Sequence, residues 1–138
     1  MNSPALRDFA LLVARLVLGV VFIAHGYQHW VGTGMRRTAE SFAEAGVPQP
    51  RLSAYLAGSV ELVGGALLII GLLTTIVAGV LALLIVAGAY FVHLDAGFFA
   101  ADGGIEYPLV LVVLLVLVVV FGSGRVSCLL YTSDAADE

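Results

Sequence analysis

Long apolar runs, separated by short polar segments, dominate this chain. A helix needs roughly 20 mostly apolar residues to cross a hydrocarbon core about 30 Å thick. The pattern therefore predicts four membrane-spanning helices, at about residues 9–27, 52–72, 75–94 and 107–122. The last run contains Leu109–Val120, which is all Leu and Val and by itself also suits a strand. An open strand would leave its backbone unpaired in lipid, so we predict a helix there too.

The polar segments between these runs indicate how the spans are connected. Residues 31–51 form the longest of them, and Arg37–Ala45 within it has helix propensity before Gly46 and Pro48, residue types that end helices. We predict a short interfacial helix there, lying on the membrane surface between spans one and two. Only Thr74–Thr75 separates spans two and three, so these two spans should form a tight antiparallel hairpin.

Composition supports an all-α membrane protein. Hydrophobic residues make up 61% of the 138 residues and charged residues 12%, whereas soluble domains have about 25% charged residues. We expect a single four-transmembrane-helix bundle, residues 1–127, with the lipid bilayer as its partner. The six basic residues are scattered arginines, which excludes a nucleic-acid-binding tract. Two arginines on the terminal side against three on the loop side do not decide the orientation.

The end of the chain differs from the rest. Composition changes abruptly after Arg125, and residues 128–138 resemble the translation of a sequencing-library adapter. We interpret them as a non-native tail, in which case the natural C-terminus is missing. The single cysteine, Cys128, lies in this tail, and one thiol cannot form an internal disulfide.

Two ionisable residues lie inside predicted spans, Arg15 in the first and Glu61 in the second. Each costs about 2.5–3.5 kcal/mol on insertion scales, so each needs a partner. At 1.5 Å rise per residue they lie about 6 Å apart along the membrane normal, and we predict a contact, direct or through water. This buried polar core has two interpretations: a functional pair, or a pair that only neutralises itself and pins two helices together.

Small residues share the faces of these two charged side chains. They are Gly19 and Gly26 on span one and Gly58 and Gly65 on span two. Because small residues let neighbouring helices approach closely, we expect the two faces to meet.

A second polar cluster is predicted at the loop side of the membrane. Its members are His25, His29, His93, Asp102 and Glu106, with Asp95 beside them. Such a mouth can bind a metal, relay protons or hydrogen-bond a quinone headgroup, although a histidine at a membrane boundary also suits an interfacial position. Gly-Tyr-Gln between the first two histidines gives no HExxH pattern, and we assign no metal. Nucleotide-binding and nucleophile-elbow motifs are missing.

These residues form an ordered set that resembles the DoxX family of small bacterial membrane proteins over nearly all of residues 9–125. The matching pieces are Ala14-Arg15-Leu16, His25-Gly26, Gly46-Val-Pro48, Ala54-Tyr-Leu-Ala-Gly58 with Glu61, Gly64-Gly65, His93, Gly97-Phe98-Phe99 and Gly103-Gly104-Ile-Glu106-Tyr107-Pro108. The family often has Lys soon after the His-Gly of span one, where this chain has Gln28-His29. That departure argues against a role that needs a cation at this position.

The resemblance implies a multi-pass protein of the bacterial cytoplasmic (inner) membrane, with both ends cytoplasmic. It also implies a link to redox, because the family is similar to a small membrane subunit of thiosulfate:quinone oxidoreductase. Carried over as family positions are Arg15, His25, Glu61, His93 and Glu106. Whether the chain is itself an enzyme stays open, since no cofactor is assigned and quinone is the one candidate.

Three functions are therefore considered, in this order. The first is a membrane subunit of a quinone-linked redox system, or of one that detoxifies oxidants or sulfur compounds. The second is a non-catalytic scaffold that holds soluble redox enzymes at the membrane. The third is a small transporter or proton pathway built on the buried charges, which with four spans would need a homo-oligomer.

Overall fold

The computed structural model describes residues 3–122, and the predicted non-native tail lies outside them. Within that range the regular structure is helical. The five α-helices are α1 Pro4–Tyr27, α2 Met35–Glu44, α3 Pro50–Ile70, α4 Thr74–Gly88 and α5 Glu106–Phe121. The segment of Leu and Val alone is therefore a helix, as predicted.

Three helical rods are long and apolar enough to cross a membrane: Pro4–Gly32, Pro50–Ile70 and Thr74–Ala96. The rods that begin with α1 and α4 extend beyond these helices as π-helical turns, Gln28–Gly32 and Ala89–His93. Helix α5 is apolar but has only 16 residues, about 24 Å at 1.5 Å per residue. For residues 3–122 the all-helical fold with three membrane-capable helices is thus confirmed, whereas the fourth span stays a prediction.

Helix α1 packs along α3, and α4 packs along α5. The apolar side chains buried between them are Leu18, Phe22, Leu68, Leu81 and Leu115. Large apolar side chains also cover the outer faces of the helices, where Leu83 is 73% exposed. Apolar groups outside as well as inside are what a lipid environment permits.

Close glycine contacts set the α1–α3 interface. A methyl group on Gly65 would lie 2.7 Å from the Gly19 carbonyl oxygen, and one on Gly26 would lie 2.9 Å from the Gly58 oxygen. Real Cβ atoms do not approach a backbone oxygen so closely, hence only glycine fits. The predicted meeting of the two glycine faces is confirmed, and it pairs position 19 with 65 and position 26 with 58.

Helix α2 is the predicted short helix between the first two spans. It packs against α3, with Met35 and Thr38 buried and the Met35 methyl beside Gly58. Its outer face carries the exposed i,i+4 pair Arg36–Glu40, 3.6 Å apart. Its position on a membrane surface stays a prediction.

Gly65→Ala should destabilise the bundle, since its methyl group forces α1 and α3 apart. Overpacking of this kind lowers the free energy of unfolding by about 1–3 kcal/mol, seen as a lower Tm in mild detergent. Gly79→Ala is the matched control, because a methyl group on Gly79 has no neighbour within 4 Å. Equal melting temperatures for the two variants would contradict this packing.

Candidate functional site

A cavity of about 550 Å³ lies where the loop-side ends of α1, α3, α4 and α5 meet. Most of its wall is apolar, including Phe22, Phe42, Leu84, Phe91 and Leu111. The polar side chains on it are His25, His29, Ser53, Glu61, His93 and Tyr107. Three of the predicted mouth residues, all histidines, are therefore brought together on one cavity.

Two of these histidines stand in π-helical turns. His29 lies in Gln28–Gly32, where the Thr33 amide donates to the Gln28 carbonyl at 2.7 Å. His93 is the last residue of the turn Ala89–His93, which is closed by the Leu94 amide donating to the Ala89 carbonyl. A π turn widens the helix and shifts the direction of the side chains that follow, and such turns are frequent at functional sites.

Glu61 and His29 form a close polar pair on the cavity wall. Glu61 is 6% exposed, and its Oε2 lies 3.7 Å from His29 Nδ1, beyond hydrogen-bond distance. Both atoms are buried without a hydrogen-bond partner among residues 3–122. Buried polar atoms are normally paired, so this pair is able to bind a ligand atom from the cavity.

Tyr107 is a wall residue that was missing from the predicted mouth. Its hydroxyl lies 2.6 Å from His25 Nε2, and the two rings are 5.5 Å apart, which links α5 to α1. The only signal in the sequence was its place directly after Glu106 in the family motif. Its contact with His25 spans 82 positions, which no local pattern reveals.

The loop from residue 94 to residue 106 fixes the His93 ring on the cavity wall. The other two predicted mouth residues, Asp102 and Glu106, lie in this loop but away from the cavity. His93 Nδ1 donates to the Gly103 carbonyl at 2.7 Å, since a carbonyl can only accept. Glu106 Oε1 accepts from the Ala100 amide at 2.9 Å, so that carboxylate braces the loop. Asp102 is exposed, and neither acid lines the cavity.

Arg15 is buried, at 1% exposure, but it does not meet Glu61. Its Nε donates to the Leu68 carbonyl and its Nη2 to the Ile69 carbonyl, both at 2.9 Å. These carbonyls lie in the last turn of α3, where the helix leaves its acceptors unpaired and favours a cation. The guanidinium therefore caps α3.

The predicted Arg15–Glu61 contact is thus corrected. The glycine register places Arg15 level with Ile69 and Glu61 level with Ile23, about 12 Å apart along the helices. The separation of about 6 Å expected from the sequence assumed that the two spans begin and end at the same membrane depth. In the structure α1 and α3 are shifted relative to that alignment. Glu61 belongs instead to the cavity with the histidines.

Comparison with known proteins finds the same family that the sequence motifs suggested. The model of the DoxX family matches residues 10–94. The chain belongs to the DoxX family. Among curated relatives of this DoxX protein, "Putative oxidoreductase CatD" of Bacillus subtilis (strain 168) is 30% identical over 116 residues, covering 84% of this chain and 81% of that protein.

A second relative of the DoxX protein comes from Haemophilus influenzae (strain ATCC 51907 / DSM 11121 / KW20 / Rd). This protein, called "Uncharacterized protein", is 32% identical over 122 residues, with 86% of this chain and 80% of its own length covered. No solved structure matches the chain significantly. The predicted family is therefore confirmed by the family model and by relatives in sequence.

Arg15→Gln should lower the Tm because it removes the forked donor from two carbonyls at the end of α3. Leaving buried acceptors unpaired costs about 1–3 kcal/mol of unfolding free energy. Arg36→Gln is the control, since the Arg36 side chain is 94% exposed. If Arg15→Gln melts with the control, the capping role is wrong.

Proposed function

We propose that this DoxX protein is a membrane subunit of a quinone-linked redox system, one that serves in oxidative-stress or sulfur-compound detoxification. Its cavity would bind the quinone headgroup. The observation that carries the proposal is that Glu61 Oε2 and His29 Nδ1 are buried without hydrogen-bond partners, on a cavity whose wall is mostly apolar. A site of about 550 Å³ is within the range of about 300–1,000 Å³ typical of small-molecule pockets.

The wall chemistry suits this ligand. A quinone has a flat ring with acceptor oxygens and an apolar tail. The aromatic side chains Phe22, Phe42 and Phe91 offer faces and edges for the ring. The Tyr107 hydroxyl and His29 Nδ1 offer hydrogen-bond donors for its oxygens.

A quinone supplies two-electron, two-proton chemistry when bound. The protein would bind and orient the quinone ring, exclude water from it and hold protons beside it. Glu61 and His29 hold them at one wall, and Tyr107 with His25 at another. Electrons would come from a small reductant or from a soluble redox enzyme docked at the membrane.

The proposed setting is the bacterial cytoplasmic membrane, with four spans and both ends cytoplasmic. The name "Putative oxidoreductase CatD" of one relative supports a redox role. A proton pathway is a second candidate, favoured by two proton-exchanging side chains only 3.7 Å apart in the interior. Proton flux in proteoliposomes that is lost in Glu61→Gln would favour it over the redox subunit.

A short-chain ubiquinone or menaquinone analogue should raise the Tm of the purified protein. Tyr107→Phe removes one donor from the wall, so quinone should bind about threefold to tenfold more weakly. Tyr90→Phe is the matched control, because Tyr90 is 68% exposed and does not line the cavity.

Two results would count against the quinone site. One is a Tm that stays constant at saturating quinone while a known quinone-binding protein shifts. The other is equal weakening in the two tyrosine variants. Soluble enzymes that co-purify with a protein unresponsive to quinone would favour the scaffold.

A further inference from the structure

The unpaired atoms of Glu61 and His29 are spaced to share one ligand atom. Glu61 Oε2 and His29 Nδ1 are 3.7 Å apart, too close for a water molecule to lie in line between them. A single oxygen about 2.8 Å from each completes a triangle with an angle of about 80° at that oxygen. The pair is therefore suited to hold one oxygen atom that projects from the cavity.

The protonation of Glu61 decides which kind of oxygen fits. An ionised carboxylate only accepts hydrogen bonds, so the shared oxygen must be a hydroxyl that donates to Glu61 and accepts from His29. A protonated carboxyl donates, so a carbonyl oxygen can accept from both side chains. A carbonyl beside an ionised Glu61 would be left with one donor and one repulsive neighbour.

We propose that Glu61 selects the redox form of the ligand, binding a hydroquinone when it is ionised and a quinone when it is protonated. This inference rests on the proposed function and deepens it. Where Glu61 is ionised in the free protein, binding of quinone takes up one proton at that carboxylate; where it is protonated, binding of hydroquinone releases one. Affinity for quinone should then fall as pH rises, and affinity for hydroquinone should rise.

Other titrating groups face the same cavity. They are His25 and His29 from the rod of α1, His93 after α4 and Tyr107 on α5, whereas α2 contributes Phe42. Arg15 lies about two helical turns away along α1, at the other end of α3. Because all of these remain in Glu61→Gln, the difference between that variant and the wild type isolates the contribution of Glu61.

The test is equilibrium binding of a short-chain ubiquinone analogue and of its reduced quinol to the full chain in mild detergent. Binding is followed between about pH 5 and 9 by quenching of Trp30, the single tryptophan. In the wild type the Kd of the quinone should rise by up to about tenfold per pH unit at pH values where free Glu61 is already ionised. The Kd of the quinol should fall by up to about tenfold per pH unit at lower pH, until free Glu61 is ionised. Glu61→Gln should remove the opposite pH dependence of the two forms, so that any slope left by the histidines has the same sign for both, and the exposed Glu40→Gln should retain the opposite slopes.

His29→Leu supplies a second, independent result. It removes the donor that both forms use, so both should bind about tenfold more weakly while the opposite slopes remain. Slopes of opposite sign that persist in Glu61→Gln, or slopes of the same sign for both forms in the wild type, overturn the inference but leave the quinone site intact. If neither form binds the wild type, both the inference and the quinone site are overturned.

Discussion

The close contact between α1 and α3 is the constraint on which the rest of the structure depends. Gly19 against Gly65 and Gly26 against Gly58 leave no room for a Cβ, so the two helices can pack in one register. In lipid, where helix association relies on packing, such a contact is decisive. That register brings Arg15 to the end of α3 and aligns the wall that carries Glu61 with the end of α1.

The two buried ionisable residues of these helices show opposite solutions to one physical problem. A charge in an apolar interior must find partners, because water cannot solvate it there. Arg15 satisfies α3 carbonyls with its forked donors, which makes it part of the fold. Glu61 faces His29 without a hydrogen bond. A buried carboxyl oxygen with no hydrogen-bond partner indicates a binding site for a ligand.

Local sequence patterns predicted most of the helices but fewer of the contacts in the candidate site. The apolar runs predicted the long helical rods, and the helix-ending residues Gly46 and Pro48 predicted where α2 ends. Both predictions succeed because a helix is specified by residues that are near one another in sequence. The three histidines were placed at one mouth because α1 and α4 end on the same side. Asp102 and Glu106 were included on proximity in the chain, yet the turn of that loop keeps both off the cavity.

The sequence by itself determined that this is an all-helical membrane protein of the DoxX family, with charged residues and glycines on facing helices. Length, hydropathy and an ordered motif suffice for those conclusions. The tertiary structure decided the partner of each polar residue. Arg15 meets carbonyls instead of Glu61, and Tyr107 meets His25 across 82 positions. Such contacts depend on helix register, which arises from packing between segments far apart in the chain.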